Sequence, residues 1–111
     1  MGKLDTIQLK AAFESSQSGK GVFLANVQQL KDFAAYTRTQ AAVVCNVETS
    51  EVSGENRIAR VDLSIYQGGV EEQALPTIER VGHSEEALQE VLTAIEQEGI
   101  RCVFQVWADE L

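Results

Sequence analysis

From Ala41 onward the side chains alternate between two sets, Ala41, Val43, Cys45 and Val47 against Ala42, Val44, Asn46 and Glu48. After the turn-forming run Ser53-Gly54-Glu55-Asn56 the alternation resumes, with Ala59, Val61, Leu63 and Ile65 against Arg60, Asp62, Ser64 and Tyr66. Successive side chains of an extended chain point to opposite faces, so the two runs predict an antiparallel hairpin with one buried face. A parallel strand covered on both faces would be apolar throughout, so an open antiparallel sheet is implied. A further strand is expected at the end of the chain, where Ile100, Cys102, Phe104, Val106 and Ala108 alternate with Arg101, Val103, Gln105 and Trp107.

Helical spacing occupies the remaining segments. Leu4, Ile7 and Ala11, with Leu9, Ala12 and Phe13 less regularly placed, predict a first helix over 4–16, ended by Ser15-Ser16-Gln17-Ser18-Gly19. A short strand is expected over 21–27. It leads into a second helix from Gln28 to about Thr37, capped by Asn26 with Gln29 three residues on, whose Leu30, Phe33, Ala34 and Thr37 share one face. Residues 68–82 carry Gly68-Gly69 and the sole proline, Pro76, and are expected to form a long connection. Ser84 then caps a third helix bearing the stripe Leu88, Val91, Leu92 and Ile95, which stops at Gly99.

These elements predict one α+β domain over residues 1–111, an antiparallel sheet of about four strands with helices on one face and an extra N-terminal helix. The last six elements follow the β-α-β-β-α-β order of a ferredoxin-like motif. The far sheet face is then expected to carry Val44, Tyr66, Val103 and Trp107, an apolar surface suited to another subunit or to the first helix. If Leu92 and Val61 are core residues, replacing either with alanine costs roughly 2 to 4 kcal/mol.

Charge narrows the partners. Nine Lys and Arg against 17 Asp and Glu leave a net charge of -8, which opposes binding to phosphate backbones and anionic lipid alike. Neither nucleic acid nor membrane is an expected partner; no apolar run spans a bilayer and no signal-peptide pattern opens the chain, so a cytoplasmic location is expected. Met1-Gly2 with Thr6 matches a short myristoylation pattern that chance supplies often. Cys45 and Cys102 lack metal or redox spacing and are expected as reduced core residues, a disulfide being open to them only if their strands adjoin.

No catalytic motif is recognised and the residues imply no cofactor or metal. Gly19-Lys20-Gly21 lacks the spacing of a phosphate loop, and Glu71-Glu72 and Glu85-Glu86 are expected as solvated charge. His83, beside the Ser84 cap and followed by Glu85-Glu86, is the one histidine through which a hydrolase or isomerase would work. Glu48, Glu51, Glu55 and Asp62 are placed to gather near the hairpin and give one end a negative potential, while mutual repulsion makes a dispersed arrangement an equal expectation. With Arg57, Tyr66, Val103 and Trp107, the three glutamates make up the candidate interface.

The stretch Leu30-Lys31-Asp32-Phe33-Ala34-Ala35-Tyr36, then Ala41-Ala42-Val43-Val44, the hairpin, and Arg57-Ile58-Ala59-Arg60-Val61-Asp62-Leu63 resembles the small tail-terminator and tail-completion proteins of long-tailed bacteriophages, including prophage minor tail proteins. The likeness is one of element order over about residues 4–98 and rests on no diagnostic motif. It implies a non-enzymatic subunit of a ring, often a hexamer, located in a virion and partnered by itself and other structural proteins. The hairpin from Glu48 to Arg57 and the sheet edges would touch neighbours, with acidic residues toward the lumen. The chain departs from the longer members, which continue with further strands where this one ends at Leu111. The competing expectation is a ferredoxin-like ligand-sensing or regulatory oligomeric domain, with a small molecule held between subunits.

Overall fold

The structure, a computed structural model, describes residues 3–111; the Met1-Gly2 pattern lies outside them. In chain order the elements are α1 (Thr6–Ser16), β1 (Val22–Leu24), α2 (Val27–Thr39), β2 (Ala42–Ser53), β3 (Asn56–Ala59), a single 3-10 turn (Val61–Leu63), β4 (Ile65–Tyr66), α3 (Val70–Gln73), α4 (Thr77–Glu98) and β5 (Cys102–Glu110). The fold is α+β, with a five-stranded antiparallel sheet.

The caps explain where the early helices start. Asp5 and Gln8 form a reciprocal capping box on α1, each side chain serving the other's backbone N–H, and the Asn26 side chain accepts from the Gln29 N–H at the start of α2. Gly99 ends α4 in the left-handed conformation, with φ 65°. Ser84, however, caps nothing. Helix α4 begins at Thr77 directly after Pro76, whose fixed φ suits a helix start, and the Ser84 hydroxyl lies buried in mid-helix, donating to the Val44 carbonyl at 2.7 Å. Much of the expected connection over 68–82 is therefore helical, as α3 and the first turns of α4.

The sheet order is β1-β5-β2-β3, with β4 also paired to β2. This corrects the ferredoxin-like expectation. In that motif the first and third strands of the six-element unit form the central pair, whereas here the long β2 and the terminal β5 are central and β1 lies at an edge. One inward row, Val22, Val106, Val47 and Ile65, crosses the whole sheet, flanked by Leu24 and Phe104 on one side and by Ala108 and Val44 on the other. Ala12, Leu30, Phe33, Leu88, Val91 and Ile95 from α1, α2 and α4 pack onto it.

Two irregularities redirect the sequence pattern. Val44 pairs with Ala108 but Asn46 pairs with Trp107, so Cys45 is an extra, bulged residue and the phase of alternation reverses across it. Val44 consequently faces the core, not the far face. The second is in the expected strand over 59–66, which breaks at the 3-10 turn and leaves Ala59 exposed and Val61 73% exposed. At the break the Ser64 hydroxyl accepts from the Thr49 N–H at 3.0 Å and donates to the Arg60 carbonyl at 2.8 Å, while the Arg60 N–H donates to the Thr49 carbonyl. A side chain thus replaces the missing rung of the ladder.

Arg60 pins the same place. Its guanidinium contacts Glu51 at 2.7 Å, Asp62 at 2.8 Å and Glu98 at 3.0 Å, tying the broken edge to the end of α4. Those contacts raise the Arg60 pKa further and hold the Asp62 carboxyl below its usual range. Phe33→Ala should cost about 3 to 5 kcal/mol in denaturant unfolding, since the ring is fully buried. Val61→Ala should stay within about 0.5 kcal/mol, reversing the expectation drawn from its alternation. Ser64→Ala strands the Thr49 N–H and should cost about 1 to 3 kcal/mol.

Candidate functional site

Helices cover one face of the sheet, and its other face carries three outward rows. Phe23, Gln105 and Glu48 form one; Trp107, Asn46 and Tyr66 the second; Val103, Ser50 and Ala59 the third, with Val52 and Arg57 beyond. Tyr66 is 61% exposed and Phe23 46%. Trp, Tyr and Arg are the residue types that most often dominate binding energy at protein interfaces, and this face presents one of each beside a phenylalanine.

Arg57 reaches back over the face until its guanidinium carbon lies 5.1 Å from the centre of the Phe23 ring. The two residues stand on opposite edge strands, so this cation–π contact passes over the strands between them. Val103, on the same face, is buried, which takes it out of the candidate interface.

Trp107 is held from two sides. Its indole N–H donates to the Gly19 carbonyl at 3.2 Å, and its ring lies against Gly21, where an added Cβ would come within 2.8 Å of the ring and 2.6 Å of the Val106 carbonyl. With φ at 70°, Gly21 is also in a conformation that other residues rarely adopt. The Gly19-Lys20-Gly21 run is therefore a platform for the indole, which its spacing did not show. Trp107 is half-buried, with part of its surface left to the open face.

Of the hairpin acids, Glu48 stands on the open face and Glu55 occupies the exposed hairpin tip beside Gly54. Gly54 supplies the positive φ, 61°, that a tight hairpin turn of this kind needs at its first central position. Glu51 and Asp62 are turned instead to Arg60, so the structure removes both from any shared acidic surface. Phe23, Gln105 and Arg60 were missed in the sequence, although period-2 spacing along Val22-Phe23-Leu24 already sets Phe23 opposite its neighbours.

The far end of this face is closed by polar contacts. Asn46 Oδ1 accepts from the Gln67 and Gly68 N–H groups, Gln73 donates to Asp109, and Arg80 approaches Asp109 at 3.6 Å. Between this overhang and residues 16–19 lies a cleft of about 230 Å³, lined by Gln17, Asn46, Gln73, Trp107 and Asp109 among others. His83 pairs with Glu72, Nδ1 to carboxylate 2.9 Å, on the surface of the same end; its partner is thus Glu72, not the adjacent Glu85-Glu86. Among the described residues no His, Cys, Asp and Glu group has metal-binding geometry, and no helix is long and apolar enough to cross a membrane.

Both thiols are free and buried. Their strands adjoin, yet Cys102 pairs with Glu51 and Cys45 sits next to Asn46, a separation of about 20 Å along extended chain, far beyond disulfide reach. Burial, with Asp109 beside it, pushes the Cys45 thiol from its ordinary 9.0 up to about 11. No protein family, curated protein or solved structure matches the chain.

In the pH range between about 9 and 11 the unfolded chain gives up the Cys45 proton and the folded one keeps it, so the contribution of this group to stability falls as pH rises through that range. Denaturant midpoints taken across it should decline less in Cys45→Ala than in the parent. Gly21→Ala should cost about 2 kcal/mol or more and shift the Trp107 fluorescence toward that of a solvated indole.

Proposed function

We propose that this chain is a non-enzymatic assembly protein that works through its open sheet face, and that its first partner is another copy of itself. The observation that carries the reading is the composition of that face: Phe23, Arg57, Tyr66 and Trp107 stand on one surface that no helix covers. Glu48 and Arg57 lie on the same surface with opposite charge, so one copy presents both halves of an intermolecular ion pair.

A contact that sets Glu48 of one copy against Arg57 of the next joins unlike patches, and a contact of that kind closes into a ring when its rotation permits. The resemblance to tail-terminator proteins favours that form. A net charge of -8 per subunit would line such a ring with negative potential, across which a polyanion slides without binding. The cleft beside Trp107 favours a second reading, a ligand-sensing domain, in which a small polar molecule sits at the end of the same face.

Light scattering over a range of protein concentrations is the test. The assembly reading expects mass to rise with concentration toward a closed oligomer. Arg57→Glu should then weaken association about tenfold or more, and Glu48→Arg combined with Arg57→Glu should recover part of it. A monomer at all concentrations, or association indifferent to both charge changes, counts against it. A stable dimer whose melting temperature rises with small ligands transfers the case to the sensing domain.

A further inference from the structure

A second surface lies on the opposite side of β2. Beyond β4 the sheet ends, and between this edge and α4 runs a groove of about 320 Å³, lined by Asp62 to Gln67 on one wall and by Ala87, Glu90, Val91 and Ala94 on the other. Its ends are tied shut. The Gln67 side chain donates to the His83 carbonyl at 3.4 Å at one end, and Arg60 holds Glu98 at 3.0 Å at the other. Helix α4 from His83 to Glu98 advances about 22 Å, the reach of some six extended residues.

The backbone along this edge is arranged to bond a further strand. The Gln67 N–H donates to the Cys45 carbonyl, and Ile65 pairs with Val47, so in the alternating antiparallel ladder Tyr66 is the residue whose own N–H and carbonyl point outward. Those two groups open onto the groove. Its floor includes the buried side chains of Leu63, Ile65 and Val91, and the small Ala87 and Ala94 leave space on the helix wall. An apolar floor, an unpaired edge and a helix wall together are the elements of strand addition by an extended peptide.

Charge selects the occupant. Two carboxylates, Asp62 and Glu90, line the groove and no Lys or Arg does; Asp62 is already engaged by Arg60, which leaves Glu90 for a partner. Glu86 stands one helical turn from Glu90 and adds to the negative potential. A second copy of a chain with net charge -8 is repelled by such a wall, and a basic segment is drawn to it. We infer that this groove binds an extended segment of another protein in which small apolar residues alternate with lysine or arginine, by strand addition at Tyr66 with one cation on Glu90.

The probe is a blocked hexapeptide of alternating lysine and valine, titrated into the full chain and followed by amide chemical shifts. Saturable shifts at Ser64 to Gln67 and at Ala87 to Ala94 are expected. Glu90→Lys should weaken binding about tenfold or more, and Ala94→Phe, which fills the groove from an already half-exposed position, should abolish it. Variants are compared only after their melting curves show a folded chain. Methylating single backbone nitrogens of the peptide tests the strand geometry without touching the protein. One position, the residue whose N–H meets the Tyr66 carbonyl, should lose binding while the others keep it.

At chain concentrations low enough to keep the protein monomeric, Arg57→Glu should leave binding intact, which separates this groove from the open-face contact. No saturable shift up to millimolar peptide, equal loss at every methylated position, or affinity unchanged in Glu90→Lys would each overturn the inference. So would self-association of the chain through the groove itself, seen without peptide as concentration-dependent shifts at Ala87 to Ala94.

Discussion

The extra residue at Cys45 sets the geometry of both faces of the sheet. Strand β2 touches β5 on one side and β3 and β4 on the other, so its phase decides what each of these neighbours buries. Without the bulge, the alternation that puts Val47 and Thr49 inward would send Val44 outward. With it, Val44 and Val47 both face the helices, and Val43, Asn46 and Glu48 fall on the far side with Trp107 and Asp109. The Val44 carbonyl then accepts from Ser84, which fixes α4 along the sheet, and the Asn46 side chain collects the N–H groups of Gln67 and Gly68, which ends β4. A backbone irregularity of one residue thus places a helix, a turn and an aromatic row.

The edge opposite β5 is the other organised irregularity. A regular strand over 56–66 would leave a long open edge, which invites uncontrolled pairing between chains. Here the 3-10 turn interrupts it, Ser64 substitutes for the lost rung, and Arg60 binds three carboxylates across the gap. The Arg60 side chain is half-buried and shared among three carboxylates, so its holding of the edge rests on the network and not on any single exposed pair. What is left of the edge is one outward-facing residue, Tyr66, set inside a bounded groove, so strand addition there is restricted in length and register.

These irregularities also mark where sequence reading stopped. The α+β class, the hairpin turn at Gly54, the Asn26 cap and the Gly99 stop were all legible, because each rests on a local preference that tertiary packing did not oppose. The strand order was not. Element order is the same for the ferredoxin-like sheet and this one, and only packing decides which strands become central. A one-residue bulge leaves no mark in a run as uniformly apolar as Ala42-Val43-Val44-Cys45, and it moved Val44 from the far face into the core. Likewise, nothing in Ala59 to Tyr66 shows that a serine hydroxyl will replace a backbone rung. Of the candidate interface residues, Glu48, Arg57, Tyr66 and Trp107 do share the open face, since period-2 spacing and the hairpin register carry that much. Val103 was lost to burial and Glu51 to the guanidinium of Arg60, neither of which period-2 spacing registers.

Tyr66 connects the two surfaces physically. Its side chain belongs to the open face, in the row with Asn46 and Trp107, while its backbone N–H and carbonyl belong to the groove beside α4. A strand bound in the groove would fix the Tyr66 backbone, and with it the direction of a ring that is otherwise held by little, its exposure being 61%. Ordering a side chain before an interface forms removes part of the entropy that the interface must otherwise overcome. Occupation of the groove by a basic segment would therefore favour association through the open face. It would also lower the net negative charge that opposes bringing copies together, so the two effects act in the same direction.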